Sequence, residues 1–363
     1  MKKKIVILLK MLALSLVLIL AYRIGNERRQ DKEQKAASDA LYTEGAYTIY
    51  DFAMGTSVCV SIYGDTDKSE EYGAELIAQI QDVDEAVLSW RNPDSELYAL
   101  NHGYQPGEKY NISDSLYPAL DEAFQVCRDS GGALDVTIRP LAQVWNIEEA
   151  DSGTFTVPDE RAIEEALEHV GYESVTLSEA ESTVTIGESG RVIDLGAVGK
   201  GYALDVAREY LDEWNVDGAV ISVGGSILVY GEKNDGSDWK IGIRNPKGNQ
   251  DDMIGCLSFP SGTNICVSTS GDYEKYFIVD GVRYHHILSR ETGYPADAGL
   301  SSVTVVCANG LYSDALSTAC FVLGYEKSLP LLEKYQAEAV FIDKDNHITV
   351  TEGLETVFYE TGK

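Results

Sequence analysis

Apolar residues recur along this chain in two alternating rhythms, and their order constrains the fold more than any single motif does. Leu76, Ile80, Val83 and Val87 follow one another at spacings of four, three and four, which lines one face of a helix. Leu116, Leu120, Phe124 and Cys127 repeat the pattern over residues 115–128, and Gly131-Gly132 stops it. Ile163, Leu167 and Val170 mark a helix over about 159–170, Ala203, Val206, Tyr210 and Leu211 mark one that starts after Gly196, and another spans 311–323. Between these helices stand segments with a two-residue rhythm. Residues 47–63 read as a hairpin turning at Met54-Gly55-Thr56, and 174–177 with 183–186 as a second hairpin leading into 191–195. From Gly218 to Val306 the chain reads as short strands punctuated by Gly, Asn, Asp and Pro, and a β-rich tail follows the last helix. Single strands alternating with helices would demand a doubly wound parallel sheet. Helices interleaved with hairpins instead point to an α+β fold of mixed, largely antiparallel sheets with packed helices. No Pro/Ser-rich linker breaks residues 47–360, so the body reads as a single catalytic unit.

Charge narrows the function. The 363 residues carry 29 Lys plus Arg against 59 Asp plus Glu. Nine of the basic and three of the acidic residues fall in the first 35, so the remainder sets 20 cations against 56 carboxylates. Such a surface repels nucleic-acid phosphates, whose binding is driven by cationic contacts and counterion release, and no nucleic-acid partner is expected. It is equally unfavourable for small anions, so a phosphate site here requires a metal ion or backbone donors.

The N-terminus sets a second expectation. Lys2, Lys3 and Lys4 precede an apolar run from Ile5 to Tyr22, interrupted by Lys10 and Ser15 and long enough to cross a bilayer. It leaves through Ala21-Tyr22-Arg23-Ile24, without a small-x-small cleavage site or a nearby cysteine for lipid attachment. The layout is that of an uncleaved signal-anchor over 1–25, a tether over 26–42 and an exported body over 43–363, on the extracytoplasmic face of the membrane. The six cysteines, Cys59, Cys127, Cys256, Cys266, Cys307 and Cys320, form no CxxC pair. A thiolate metal site is therefore not expected, and they read as small buried hydrophobes. Export would permit a disulfide, which sequence cannot pair.

Three places carry candidate chemistry. Asp194-Leu-Gly196-Ala-Val-Gly199-Lys200-Gly201 lies where a strand is expected to enter a helix, and such a junction offers free N–H groups and the positive end of a dipole. Its glycine spacing fits neither a Walker loop nor a dinucleotide fingerprint, and a tight turn packing a helix on a sheet is the competing explanation. Lys200, a cation at a site suited to anions, favours the phosphate reading. Asp314 and Thr318 stand at i and i+4, on one helical face, and are hard oxygen donors suited to Mg²⁺. Alternatively Ser313 or Asp314 caps the helix and Thr318 bonds to its own turn. His285 and His286 alternate across a strand, so that one of them can face a cleft as a general base.

Taken in order, Met54-Gly55-Thr56, Ser89 with Pro93-Asp94-Ser95-Glu96-Leu97 and Asn101, Gly132-Ala-Leu-Asp135-Val-Thr137, Asp194-Leu-Gly-Ala-Val-Gly-Lys200-Gly-Tyr-Ala, Val223-Gly-Gly-Ser226, Ser268-Thr-Ser-Gly-Asp-Tyr273, His286-Ile, Thr292-Gly-Tyr-Pro295 and Ser313-Asp-Ala-Leu-Ser-Thr318 resemble the ApbE-type FAD:protein FMN transferases over about residues 46–345. The resemblance implies a T-fold-like body that moves the FMN half of FAD onto a threonine of an acceptor flavoprotein, with Mg²⁺ and release of AMP. That acceptor would be an exported or membrane-bound electron-transfer subunit. It further implies that Asp314, Thr318 and the carbonyl of Ala197 hold the metal. Met54, Ala133, Leu134, Asp135, Asp194, Lys200 and Ile287 would contact the flavin nucleotide, and His286 would accept the threonine proton. Hydrolysis of FAD to FMN and AMP, or flavin binding without catalysis, are the alternatives. Two departures stand out. Ser289-Arg290 replaces the usual Asp-Pro, which brings a cation that could meet phosphate, and Trp90-Arg91 follows Ser89 where relatives often have Thr-Tyr.

Overall fold

The computed structural model describes residues 41–43, 45–64, 66–147, 155–249 and 251–361. The expected anchor, and all but the end of the tether, lie outside the described residues, and among those described no helix is long and apolar enough to cross a membrane.

Among the described residues, nine strands form the central sheet. In spatial order they are β1 (Leu41–Thr43), β2 (Ala46–Ala53), β3 (Thr56–Tyr63), β7 (Gly218–Val223), β8 (Ser226–Gly231), β11 (Ile265–Gly271), β14 (Leu300–Cys307), β15 (Glu338–Asp343) and β16 (Ile348–Val350). Each neighbouring pair is antiparallel, as the hairpin rhythm requires. Two smaller sheets are β4 (Lys109–Asn111), β6 (Thr183–Ile186) and β5 (Val175–Ser178), and β17 (Phe358–Glu360), β10 (Met253–Phe259) and β9 (Trp239–Arg244). The hairpin β12 (Tyr276–Val279) and β13 (Val282–His285) stands apart.

The helices are α1 (Thr66–Asp82), prolonged by a π turn over Val83–Leu88, α2 (Glu96–Gly103), α3 (Leu116–Asp129), α4 (Arg139–Trp145), α5 (Glu160–Leu167), α6 (Gly199–Trp214), α7 (Gly310–Leu323) and α8 (Tyr325–Lys334). One face of the central sheet meets helices: Val58, Val60, Ile221, Leu228, Val303 and Val305 share a core with Leu204, Leu311, Leu316 and Phe321. The opposite face packs Val229, Val267, Val306 and Val340 on Trp239, Ile241 and Leu257 of the β9–β10 sheet. A strand covered on both faces can be apolar throughout, and all eight residues of β14 are buried. A third cluster, Leu141, Trp145, Ile163 and Leu288, anchors the β12–β13 hairpin through Phe277 and Tyr284.

The α+β reading stands, with three corrections. Residues 191–195 form no ladder. The Asn101 amide clamps Ile193 instead, its Nδ2 donating to the Ile193 carbonyl at 2.8 Å and its Oδ1 accepting the Ile193 N–H at 2.8 Å. The tail is not purely β, because α8 precedes β15. The short helices α2 and α4 also appear where no apolar period was long enough to announce them. The cysteines behave as small hydrophobes: all six are free, and five are buried.

Candidate active site

Two glycines build the centre of the site. A Cβ on Gly201 would lie 2.0 Å from the Gly310 carbonyl oxygen, so α6 and α7 touch backbone to backbone where they cross. That approach drives Asp314, one turn into α7, against the N-terminus of α6. Its Oδ2 accepts the Gly201 N–H at 3.2 Å and lies 3.3 Å from Lys200 Nζ, while Oδ1 accepts from the Ser226 hydroxyl at 3.3 Å. Asp314 is buried, so a carboxylate here is stable only with such donors around it. Lys200 Nζ also donates to the Gly196 carbonyl at 3.2 Å, folding the cation back over the glycine turn.

Capping does not explain Asp314. The α7 N-cap is Asn309, whose Oδ1 accepts the Tyr312 N–H at 2.7 Å, and Asp205 of α6 accepts the Gly310 and Leu311 N–H groups at 2.7 Å each. The Thr318 hydroxyl meets the Ser270 hydroxyl of β11 at 3.1 Å. Asp314, Thr318 and the Ala197 carbonyl are all hard oxygen donors, one of them fully charged, and among the described residues no cluster of three His, Cys, Asp or Glu side chains competes with them. This set fits Mg²⁺, which takes few protein oxygens and completes its sphere with water and phosphate.

The neighbouring candidates are tied to the same junction. The Asp194 N–H donates to the Val136 carbonyl at 2.7 Å, which joins the Ala133-Leu134-Asp135 stretch to the glycine turn. Asp194 Oδ1 accepts the Gly196 N–H at 2.9 Å, and Oδ2 lies 3.6 Å from Arg139. The buried Arg139 guanidinium sits 3.2 Å from the Trp90 ring centroid, with Arg91 on that ring at 4.5 Å. Trp90 therefore supports the cation that faces Asp194. Met54 occupies the tight turn between β2 and β3, and its φ of 53°, followed by 69° at Gly55, is a backbone state that β-hairpins favour and methionine does not. Asp84, on the π turn, accepts the Met54 N–H at 2.5 Å and secures it.

Asp135 proves to be a hub. Its buried carboxylate accepts the Thr137 N–H and hydroxyl at 2.9 and 2.7 Å, the Tyr172 N–H at 3.2 Å and Arg290 at 2.7 Å. Arg290 also holds Glu173 through contacts of 2.6 and 3.1 Å. The expectation that Arg290 is a cation for phosphate is thereby corrected: carboxylates engage it on both sides, and it fastens the loop after His286 to the 133–135 stretch.

The paired histidines separate, although β13 ends at His285 and His286 already lies on the bend beyond it. His285 is buried, gives Nε2 to the Ala296 carbonyl at 3.0 Å and stands edge-on to Phe321 of α7 at 5.5 Å. Burial pulls its pKa down to about 4, and neighbouring positive charge adds to the effect, so the ring is neutral at physiological pH. His286 is more open. Its backbone N–H and Nδ1 both meet the Lys275 carbonyl, at 3.1 and 3.3 Å, and Ile287 beside it is buried in the main core. The segment carrying His286 is thus tied to α7 at one end and to Asp135 at the other.

Sequence reasoning left Arg139, Asp205, Asp84 and Ser270 without roles. Asn101, Ser226 and Ser270 sat in recognisable strings, whereas Asp84, Arg139 and Asp205 act across 30 to 106 residues of sequence where no spacing rule reaches.

The chain as a whole is similar to known proteins. A protein-family model described as the ApbE family matches residues 54–341. An FAD:protein FMN transferase from Treponema pallidum is 34% identical over 324 residues, covering 85% of this chain and 87% of that protein. One from Klebsiella pneumoniae is 31% identical, over 82% of this chain and 89% of its own. The crystal structure of an ApbE protein from Thermotoga maritima superposes with a TM-score of 0.77 at 32% identity, covering 86% of this chain and 99% of that one. The flavin transferase ApbE from Vibrio cholerae gives 0.75 at 26% identity, over 86% and 99%.

Proposed function

Because the chain belongs to the ApbE family, we propose that it transfers the FMN half of FAD to a threonine hydroxyl of an acceptor flavoprotein and releases AMP. The observation that carries this reading is the contact of Lys200 and the Gly201 N–H with the buried Asp314, which puts a helix N-terminus, a cation and a hard carboxylate at one point in a strongly acidic chain. The helix N-terminus and the cation suit a pyrophosphate directly, and the carboxylate suits the metal ion that would accompany it.

The threonine oxygen attacks the FMN-side phosphorus, the bond from that phosphorus to the bridging oxygen breaks, and AMP leaves with that oxygen. His286 takes the hydroxyl proton, which is free to pass to the departing phosphate or to water. Lys200 and the N–H groups of the glycine turn oppose the charge that develops on the phosphoryl oxygens. Asp194, fixed by Arg139 and the Gly196 N–H, holds the nucleotide, with Met54 and the 133–135 backbone against the flavin. Asp314, Thr318 and the Ala197 carbonyl would hold Mg²⁺, which when bound supplies charge neutralisation at the pyrophosphate. We further assign residues 1–25 as a membrane anchor and 26–42 as a tether, with the body at 43–363 on the extracytoplasmic face. The apolar run behind three lysines supports this.

AMP release from FAD, followed by chromatography, and FMN mass gain on an acceptor test the reading. Asp314→Asn is expected to lower turnover by about a hundredfold or more, comparable to deleting one oxyanion-stabilising group, and a chelator should do the same to the unaltered protein. Full turnover in chelator removes the metal assignment. His286→Ala should lower kcat more than it weakens FAD binding, and equal losses reassign it to binding.

A further inference from the structure

The register of the central sheet brings two of the six cysteines together. Cys266 on β11 stands directly opposite Cys307 on β14 in the antiparallel ladder. The other two strand cysteines oppose different residues: Cys59 faces Tyr50 and Ser222, and Cys256 faces Tyr359 and Gly242. Opposed residues of such a ladder project to the same side. Both thiols accordingly belong to the main core beneath α6 and α7, and Ser268 and Ser270 follow Cys266 on that face to meet Ser313 and Ser317 of α7 at 2.7 Å each.

The geometry of the ladder suits a covalent link. Directly opposed Cα atoms lie about 4.5–5.5 Å apart, within the roughly 4.4–6.8 Å that a disulfide spans. The Cβ separation of such pairs, about 4.5–5.5 Å, exceeds the about 3.5–4.5 Å of a disulfide, so the two strands must pinch slightly. Neither sulfur is locked in place. Cys266 Sγ accepts from Arg208 Nη2 at 3.0 Å, and Cys307 Sγ stands 4.0 Å from the Tyr335 carbonyl. Arg208 also bonds Asp205 at 2.7 Å and the Ala308 carbonyl at 2.6 Å, which keep it seated when the sulfur turns away. Both side chains are sealed, at 0% and 5% exposure. Burial pushes the Cys266 thiol up to about 12 and raises that of Cys307, so the folded pair offers no thiolate to an oxidant. A bond between them must form while β11 and β14 come together, and the finished core then shields it.

We infer that Cys266 and Cys307 form a disulfide that staples β11 to β14 when the chain folds in an oxidising compartment. That this happens in the cell rests on the extracytoplasmic assignment above. The bond arises by exchange with a disulfide-bearing oxidant: one thiolate attacks the oxidant's disulfide, the second displaces the mixed disulfide, and the oxidant leaves as two thiols carrying the two electrons and two protons. The staple closes a loop over residues 266–307, which carries His286 and Arg290, and it restricts the unfolded chain more than the folded one. It also lies beside Arg208 and Asp205, which hold the N-terminus of α7 one turn before Asp314.

The test refolds the full chain from urea in detergent, either in a buffer rich in oxidised glutathione or in dithiothreitol, blocks free thiols with N-ethylmaleimide and maps the peptides by mass. Oxidised refolding should link Cys266 to Cys307 and leave Cys59, Cys127, Cys256 and Cys320 alkylated. The thermal midpoint should then lie about 5 °C above that of the chain refolded in dithiothreitol, a gap that Cys307→Ser removes. In whole cells, acid quenching before the same map reads the pair, and a membrane-impermeant amine reagent reads the side on which the body lies. An unlinked pair after oxidised refolding, a link that leaves the midpoint unmoved, or free thiols in a body that the reagent reaches overturns the inference. A body that the reagent does not reach, with the pair linked on refolding alone, overturns the extracytoplasmic assignment and leaves the pairing standing.

Discussion

Adjacent side chains in this chain do different work because their surroundings differ. His285 and His286 follow one another, yet one ring is sealed against Phe321 and the Ala296 carbonyl while the other is half-buried and meets the Lys275 carbonyl. The sealed ring has a consequence for stability. Its pKa is lowered from 6.5 to about 4 by burial, so between those values the unfolded chain binds the proton that the folded one refuses. The contribution of the neutral ring is complete above pH 6.5 and is lost as pH falls toward 4. The whole shift corresponds to on the order of 3 kcal/mol. Urea midpoints at pH 7 and pH 5 should therefore converge in His285→Gln relative to the unaltered protein, and an unchanged difference would locate the acid sensitivity elsewhere. Asp135 teaches a related lesson. Its carboxylate is engaged by Thr137, the Tyr172 N–H and Arg290 together, three partners spread over 155 residues of sequence.

Helices α6 and α7 set the geometry of the site. Their closest point is Gly201 against Gly310, and a methyl group at residue 201 would also fall 2.9 Å from the Asp314 Cβ. Gly201→Ala is expected to force the helices apart, at a cost of about 1–3 kcal/mol as for other overpacked contacts. It should lower AMP release by a larger factor than the stability loss explains, because Asp314 moves away from Lys200. Denaturation and turnover on the same preparation check this, and an active, equally stable variant would show that the close crossing is dispensable. The β2–β3 turn follows the same logic. A methionine held at positive φ by Asp84 spends local conformational energy to hold this turn.

For the molecule as a whole, charge opposes the substrate. The body carries 56 acidic against 20 basic residues beyond position 35, while FAD brings two phosphates. Lys200 and the glycine-turn N–H groups offset that field locally. Raising ionic strength from about 0.01 M to 0.15 M shortens the Debye length from about 30 to 8 Å. At fixed free Mg²⁺ this should lower the KM for FAD by a few-fold, since long-range repulsion is screened more than the short contacts are. A KM that rises with salt would mean that attraction at the site outweighs the acidic surface.

The α+β class, the hairpin at Met54-Gly55, the long amphipathic helices and the ordered motif strings were all determined by the sequence alone. Each depends on neighbours a few residues apart, where side-chain period and turn chemistry leave little choice. The short helices α2 and α4 escaped it, and so did the loss of a ladder at 191–195, because Asn101 replaces the missing strand from 92 residues away. Tertiary structure alone decided that Asp314 is no cap, that Arg290 serves Asp135 instead of a phosphate, and that Trp90 carries Arg139 toward Asp194. These outcomes turn on which distant side chain fills each hydrogen-bonding or ring-facing position, and the chain acquires that information only when the sheet and its helices close.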